Sequence, residues 1–321
     1  QRAIVGVVDY KLFELDDAGG YEVLTELVVQ LLDKHITLAA GEGAPEIRFA
    51  LHGQSEVARP LLKVIGLTAA LLPRFEYWAQ TINGGLSGGN PDRELIVRAN
   101  DVLEEMRDAI EAEIARADSC DRGDILSQLL AASAEGDRLT RDEVIAQLIV
   151  IIIAGHDTTL NTMALCVEKL ASLPDARDYL RRNPQAFDDW IMELMRVVAM
   201  STSMVRVVAE DFEWRGKALR KGDFVFLMIA AANRDPAAFP QPDVVDFTRS
   251  QRENLTFGPG PHFCVGHWFA RMMMSEALPA FLGRFERWDV LEERLQFGVA
   301  TGFRGPVRLM LRLHAPADGK A

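Results

Sequence analysis

The chain has 321 residues, 49% of them hydrophobic, enough to enclose one large core or two modest ones. Its 47 acidic residues outnumber 35 basic ones, for a formal charge of −12, which argues against nucleic acid as the main partner. Its 3 cysteines, Cys120, Cys166 and Cys264, are too scattered for a disulfide framework and point to a reducing compartment, the cytoplasm.

The opening QRAIVGVVDYKLFELDD carries a short apolar run broken by Asp9, Lys11 and Glu14, and does not read as a signal peptide. Apolar positions three and four apart predict amphipathic helices over residues 21–35 and 91–117. Between them NGGLSGGNP, residues 83–91, reads as a flexible connector. It has neither Walker A nor GxGxxG spacing, so no phosphate cradle is expected there. A long helix is expected to begin at LTRDE, where Thr140 and Glu143 have capping-box spacing. Nothing breaks it firmly before Pro174, which allows roughly 50 Å of helix at the standard rise. Its greasiest stretch, AQLIVIIIAG at 146–155, is about half the length a bilayer needs and reads as buried helix, with no membrane anchor expected. A shorter helix is predicted at 190–200 and strand-like alternation at 205–229. An irregular run rich in Pro, Asp and Arg follows at 233–254, then a helix from about 265 to 282 and a closing hairpin at 295–314. Neither a repeat nor a composition break divides the chain. The expectation is one domain over residues 1–321, mainly α with a minor β component.

The chemistry concentrates in FGPGPHFCVGHWFAR, residues 257–271, where Cys264 lies between His262 and His267. A structural zinc site needs four ligands with paired spacing, and the other two cysteines are solitary. Covalent haem attachment needs CxxCH, which is absent. On the residues alone, a nucleophilic cysteine and an inert buried thiol both stay open. Gly258 and Gly260 let the backbone approach a ligand closely. Cys264 stands where a helix is about to begin, so free N–H groups and the positive helix end favour thiolate. Such a thiolate beside a bare glycine surface suits the proximal ligand of a flat macrocycle.

FGPGPHFCVG resembles the haem-binding signature of the cytochrome P-450 family, Phe-Gly-x-Gly-x-His-x-Cys-x-Gly, and Ala270 matches the alanine that follows. The resemblance implies b-type haem on Cys264, with Phe257, Gly258, Gly266 and Ala270 around it. AGHDTT, residues 154–159, resembles the family's oxygen-activation motif, Ala-Gly-x-Asp-Thr-Thr. Thr158 would then hold bound dioxygen or a water, Asp157 would help deliver protons, and Ala154 and Gly155 would leave room for the flat ligand. Glu193 and Arg196, in ELMR, resemble the Glu-x-x-Arg pair, whose third partner is best matched by Arg249, with Arg252 the alternative. Their implied role is structural. Arg206, with His262, would pair with the haem propionates, and residues 201–205 with part of 298–302 would line the substrate side.

The resemblance runs from about Tyr21 to the end, is strongest at 139–271, and points to the soluble bacterial branch. Family members usually carry a longer front portion, including another propionate-binding residue for which Arg2 is the candidate remnant. The implied fold is an N-terminally shortened P-450 fold. The implied activity is oxidation of an apolar small molecule with dioxygen, by hydroxylation or epoxidation. Electrons would come from NAD(P)H through a ferredoxin or flavodoxin-type partner with its reductase, docking on a basic patch near the cysteine. A peroxide-using or coupling haem-thiolate enzyme, or a shortened haem-binding protein without activity, are the alternatives.

Overall fold

The computed structural model describes residues 46–49, 58–87, 93–116, 123–134, 139–291, 295–297 and 302–314. The helix expected at 21–35, Arg2 and residues 298–301 lie outside the described residues. In chain order the elements begin with β1 (Glu46–Phe49), α1 (Ala58–Ile65), α2 (Leu72–Ser87), α3 (Arg93–Arg116) and α4 (Ile125–Ala134). The long α5 (Arg141–Ala171) is followed by α6 (Pro174–Arg182) and α7 (Phe187–Val198). Then come β2 (Met204–Val207), β3 (Phe212–Trp214), β4 (Lys217–Leu219) and β5 (Phe224–Leu227). After an irregular stretch, α8 (His267–Arg284), β6 (Arg287–Val290), β7 (Gln296–Phe297) and β8 (Pro306–His314) complete the described chain.

The start of α5 is fixed as its sequence predicts. The Thr140 hydroxyl accepts the Glu143 N–H at 3.3 Å, and the Glu143 carboxylate accepts the Thr140 N–H at 2.7 Å. The helix stops at Ala171, three residues before the proline that opens α6. Two apolar clusters share α5 as their axis. Val144, Ile145, Leu148 and Ile152 of its first half pack with α1 to α4. Met163 to Val167 and Leu170 pack with α6, α7, α8 and the sheet strands β6 and β8. Phe269 of α8 packs against both clusters, which ties the helix after Cys264 to the seam between them.

Three expectations are adjusted by packing. Residues 83–87 continue α2, the helix whose buried stripe is Phe75, Trp78, Ala79 and Ile82, while residues 88–91 of the expected connector lie outside the described residues. That burial outweighs the roughly 1 kcal/mol cost of each helical glycine. The apolar run at 146–155 is buried on one face only. Leu148 and Ile152 are buried, whereas Ala146 and Ala154 are exposed and Val150 is 51% exposed. By length and composition α5 could cross a membrane, yet α2, α3, α4, α7 and α8 all pack along it. Finally, the closing hairpin is part of a larger sheet in which β8 pairs with β1, β6 and β7. The alternating segment at 205–229 forms two separate antiparallel pairs, β2 with β5 and β3 with β4.

Replacing Thr140 with alanine removes the cap that sets the register of α5. The variant should lose about 1 kcal/mol of stability, read as a lower urea midpoint at unchanged slope; a midpoint equal to the parent's would show that packing alone starts this helix.

Candidate functional site: a cysteine loop on a buried ion-pair anchor

The backbone of the cysteine loop is folded by its own hydrogen bonds. Gly258 and Gly260 both sit at φ +70°, a region where a side chain would be strained. The Cys264 N–H donates to the Phe257 carbonyl at 2.9 Å, and the Phe263 N–H to the Gly260 carbonyl at 2.9 Å. Gly266 caps α8, and its carbonyl accepts the Ala270 N–H at 2.9 Å. The ring of His267 lies 3.0 Å, through Nδ1, from the Cys264 carbonyl, so this histidine braces the loop. Burial also holds the His267 imidazole below its usual pKa range.

The sulfur itself departs from expectation. Burial pushes the Cys264 thiol above its usual range, and the hydrogen bond from the Gly266 backbone only partly opposes it. The helix start does not by itself yield a thiolate, because desolvating the anion costs more than one N–H returns. A cation at the sulfur reverses that balance, since a coordinated thiol is deprotonated outright. Among the described residues, no group of three His, Cys, Asp or Glu side chains is placed to hold a bare metal ion.

What holds the loop's approach is a buried charge cluster. Glu193 and Arg196, one turn apart on α7, are both 0% exposed. Arg196 donates from Nε and Nη2 to the two carboxylate oxygens of Glu193, each at 2.8 Å. Its Nη1 donates to the carbonyls of Asn233 and Pro242 at 2.7 and 2.8 Å. Glu193 accepts the Asp246 N–H at 3.0 Å, the Gln251 amide at 3.0 Å and Arg249 Nε at 3.3 Å. Arg249, not Arg252, reaches the pair. Burial alone would push the Glu193 carboxyl up; Arg196, the Asp246 N–H and Gln251 together outweigh it and hold the group below the usual carboxylate range. Two further residues that sequence reasoning did not single out belong here. The Asn254 side chain donates to the Met192 carbonyl at 2.9 Å, and buried Asn233 accepts the Leu255 N–H at 2.8 Å. Amides in an aperiodic run carry no pattern that a single sequence could flag.

Within the continuous α5, hydroxyls in and just after the AGHDTT segment bond back to carbonyls one turn earlier. Thr158 Oγ1 donates to the Ala154 carbonyl at 2.5 Å, and Thr162 Oγ1 to the Thr158 carbonyl at 2.7 Å, local bonds that compete with the helix ladder. Ala154 is exposed and Thr158 half-buried, so with Val150 they form a stripe four residues apart facing away from the packed side. Gly155 also makes room for a neighbouring helix. A methyl built on it would lie 3.0 Å from Leu61 Cδ2, so its small size admits α1. His156 is buried, with Nδ1 2.6 Å from Asp157 Oδ1.

Arg206 lies exposed on β2, donating only to the Val205 carbonyl at 3.0 Å, and has no carboxylate partner among the described residues. Around it Val205, Val207, Phe224 and Phe226 stand 45% to 69% exposed. His262 is exposed as well. The Thr202 N–H donates to the Gly302 carbonyl at 2.9 Å, which brings together the two segments expected on the substrate side. A glycine loop, a half-buried sulfur, an arginine with no carboxylate partner among the described residues and open apolar surface together fit a flat macrocycle with acidic edges.

The comparisons with known proteins agree with this geometry. The Cytochrome P450 family model matches residues 89–295, and the chain belongs to that family. It is 35% identical over 181 residues to the biotin biosynthesis cytochrome P450 of Bacillus subtilis (strain 168), covering 56% of this chain and 46% of that protein. It is 33% identical over 227 residues to the steroid C26-monooxygenase of Mycobacterium tuberculosis (strain CDC 1551 / Oshkosh), covering 68% and 60%. The chain spans about half the length of the curated relatives it matches. Among solved structures, P450BioI in complex with hexadec-9Z-enoic acid ligated acyl carrier protein superposes with a TM-score of 0.81 at 26% identity, covering 92% of this chain and 74% of that one. CalO2 gives the same TM-score, 0.81, at 26% identity over 92% of this chain and 73% of its own. The fold is that of the cytochromes P450, and the family carries haem.

Removing one member of the buried cluster should cost far more than a surface ion pair. Glu193→Leu should destabilise the protein by about 3–5 kcal/mol, because Arg196 is left charged and unpaired. Since the Glu193 carboxyl is depressed in the folded state, the stability it supplies is complete above the ordinary glutamate pKa, about 4.3, and is lost as pH falls through the lower folded value. Urea titrations of the parent and Glu193→Gln should therefore converge as pH falls below that range; a constant gap down to acid pH would contradict the assignment.

Proposed function

We propose that the chain is a haem-thiolate monooxygenase that oxidises an apolar small molecule with dioxygen, acting as one domain over residues 1–321. The observation that carries this reading is the glycine loop presenting the Cys264 sulfur, with the Gly266 N–H on it, directly after the segment anchored by Glu193. Cys264 would ligate haem b, with Phe257, Gly258, Gly266 and Ala270 against its near side and Arg206 and His262 pairing with its carboxylates. The bound group supplies dioxygen activation, driven by electron density from the thiolate.

The chain's own residues do the rest. Ala154 and Val150 present an exposed apolar surface. The Thr158 hydroxyl is committed as a donor to the Ala154 carbonyl, so its oxygen lone pairs are the part turned to a ligand, and it donates outward only after that bond breaks. Asp157 is 25% exposed and can exchange protons between solvent and the α5 face, the work of a general acid. The apolar residues of β2 and β5 set the substrate class as apolar. A relative named steroid C26-monooxygenase acts, by its name, on a steroid, an apolar small molecule, which supports that class. Electrons would come from NAD(P)H through a ferredoxin or flavodoxin-type protein and its reductase, in the cytoplasm. Exposed Arg252 and Trp268, with Arg271 over the Trp268 ring at 5.1 Å, offer a docking surface beside the cysteine.

The reduced protein under carbon monoxide should show the strongly red-shifted Soret band of a thiolate ligand, and Cys264→Ser should lose it. Normal substrate oxidation by that variant would end the reading. Thr158→Ala should still consume reductant but release several-fold more peroxide per electron pair; unchanged partitioning would remove Thr158 from the role. Turnover with peroxide alone, and none with reductant and dioxygen, would favour the peroxide-using alternative.

A further inference from the structure

His156 stands inside the segment that the proposed function uses, yet that reading gives it no task. Its side chain is 1% exposed, on the packed side of α5, and its neighbour Asp157 is 25% exposed. Adjacent helical residues point about 100° apart and do not normally meet. Here they do, with Nδ1 2.6 Å from Oδ1. The ring is held from behind by Phe75 of α2, edge-on with centroids 5.3 Å apart. The other nitrogen, Nε2, is buried and has no hydrogen-bond partner among the described residues.

These contacts select one tautomer. With its proton on Nδ1 the ring donates to Oδ1 and leaves Nε2 as a bare lone pair among carbons, which costs least. The opposite tautomer would set two acceptors against each other at 2.6 Å and bury an N–H that has no acceptor among the described residues. We propose that His156, in the Nδ1–H form, is a positioning residue for Asp157: it holds Oδ1 from the interior and so fixes the plane in which that carboxylate meets the open face of α5. The inference rests on the monooxygenase reading of Asp157, but its structural half stands independently. A hydrogen bond to Oδ1 narrows the rotamers open to a carboxylate on a partly exposed helix turn, and proton transfer depends on alignment within hydrogen-bond reach. Phe75 packs against the imidazole, and the imidazole holds one oxygen of the acid.

Two measurements test it. Nitrogen-15 spectra of histidine-labelled protein, as purified and in the diamagnetic carbon monoxide form, should show one Nδ1–H tautomer that disappears in His156→Asn. An Nε2–H tautomer or a doubly protonated ring would overturn the proposal whatever the enzyme does. In the second, coupling is measured with the apolar compound that gives the largest haem spin-state shift. His156→Leu should lose product per electron pair several-fold while haem content and the carbon monoxide band stay at the parent level. His156→Asn, whose amide can donate from the position of Nδ1, should remain close to the parent. Equal coupling in the leucine variant, or equal loss in both, would overturn the positioning role. A parent that oxidises nothing would overturn the monooxygenase reading while leaving the tautomer result to judge the contact.

Discussion

The structure depends on one buried charge pair. Desolvating a carboxylate and a guanidinium costs several kcal/mol per ion, and the attraction between them repays it only when every remaining donor and acceptor is satisfied. At Glu193 and Arg196 that condition is met by the irregular segment itself, through the Asn233 and Pro242 carbonyls, the Asp246 N–H, Arg249 and Gln251. The pair is thus a template. A run without periodicity, which could not bury enough apolar surface to order itself, is given one conformation by the electrostatic cost of leaving the pair unsatisfied. The cysteine loop follows directly from that run, so the place of the sulfur is inherited from α7.

A second constraint comes from α5. Its capping box and the two clusters packed on it hold this helix at its start and along its length, yet its middle is locally weakened by a glycine and by hydroxyls bonding back to carbonyls four residues earlier. The weakness is placed where the helix turns from its packed side to its open stripe. His156 and Asp157 straddle that boundary, one nearly wholly buried and the other partly exposed. A rigid helix with a softened turn can present a threonine and an acid at fixed positions and still let a hydroxyl change its partner.

Much of this was readable in the chain. Periodicity located α3, α5, α7 and α8, with ends shifted by a few residues because caps and packing, not propensity, stop helices. The left-handed Ala199 that ends α7 is one example. Glu193 and Arg196 share a helix face, as their three-residue spacing implied, while the roles of the cysteine motif and of Arg249 were legible only through the family resemblance. Two readings show how local patterns meet packing. Residues 83–87 of NGGLSGGNP read as a loop because glycine is judged locally, whereas α2, whose buried stripe runs to Ile82, continues to Ser87. The helix start beside Cys264 favours an anion locally, and burial of the sulfur opposes it, a balance set by everything packed around that atom.

The sequence by itself determined the elements and the chemistry: the apolar periodicities, the capping box, the glycines that permit positive φ, and a lone sulfur in a glycine loop. These are properties of a few neighbouring residues, fixed by sterics and valence. Only the tertiary structure decided which face of α5 stays open, that Gly155 admits Leu61, that Arg249 rather than Arg252 completes the ion cluster, and that His156 meets Asp157 with Phe75 behind it. Those outcomes turn on burial and on contacts between residues far apart in the chain, where dielectric and packing are set by partners that no local pattern names.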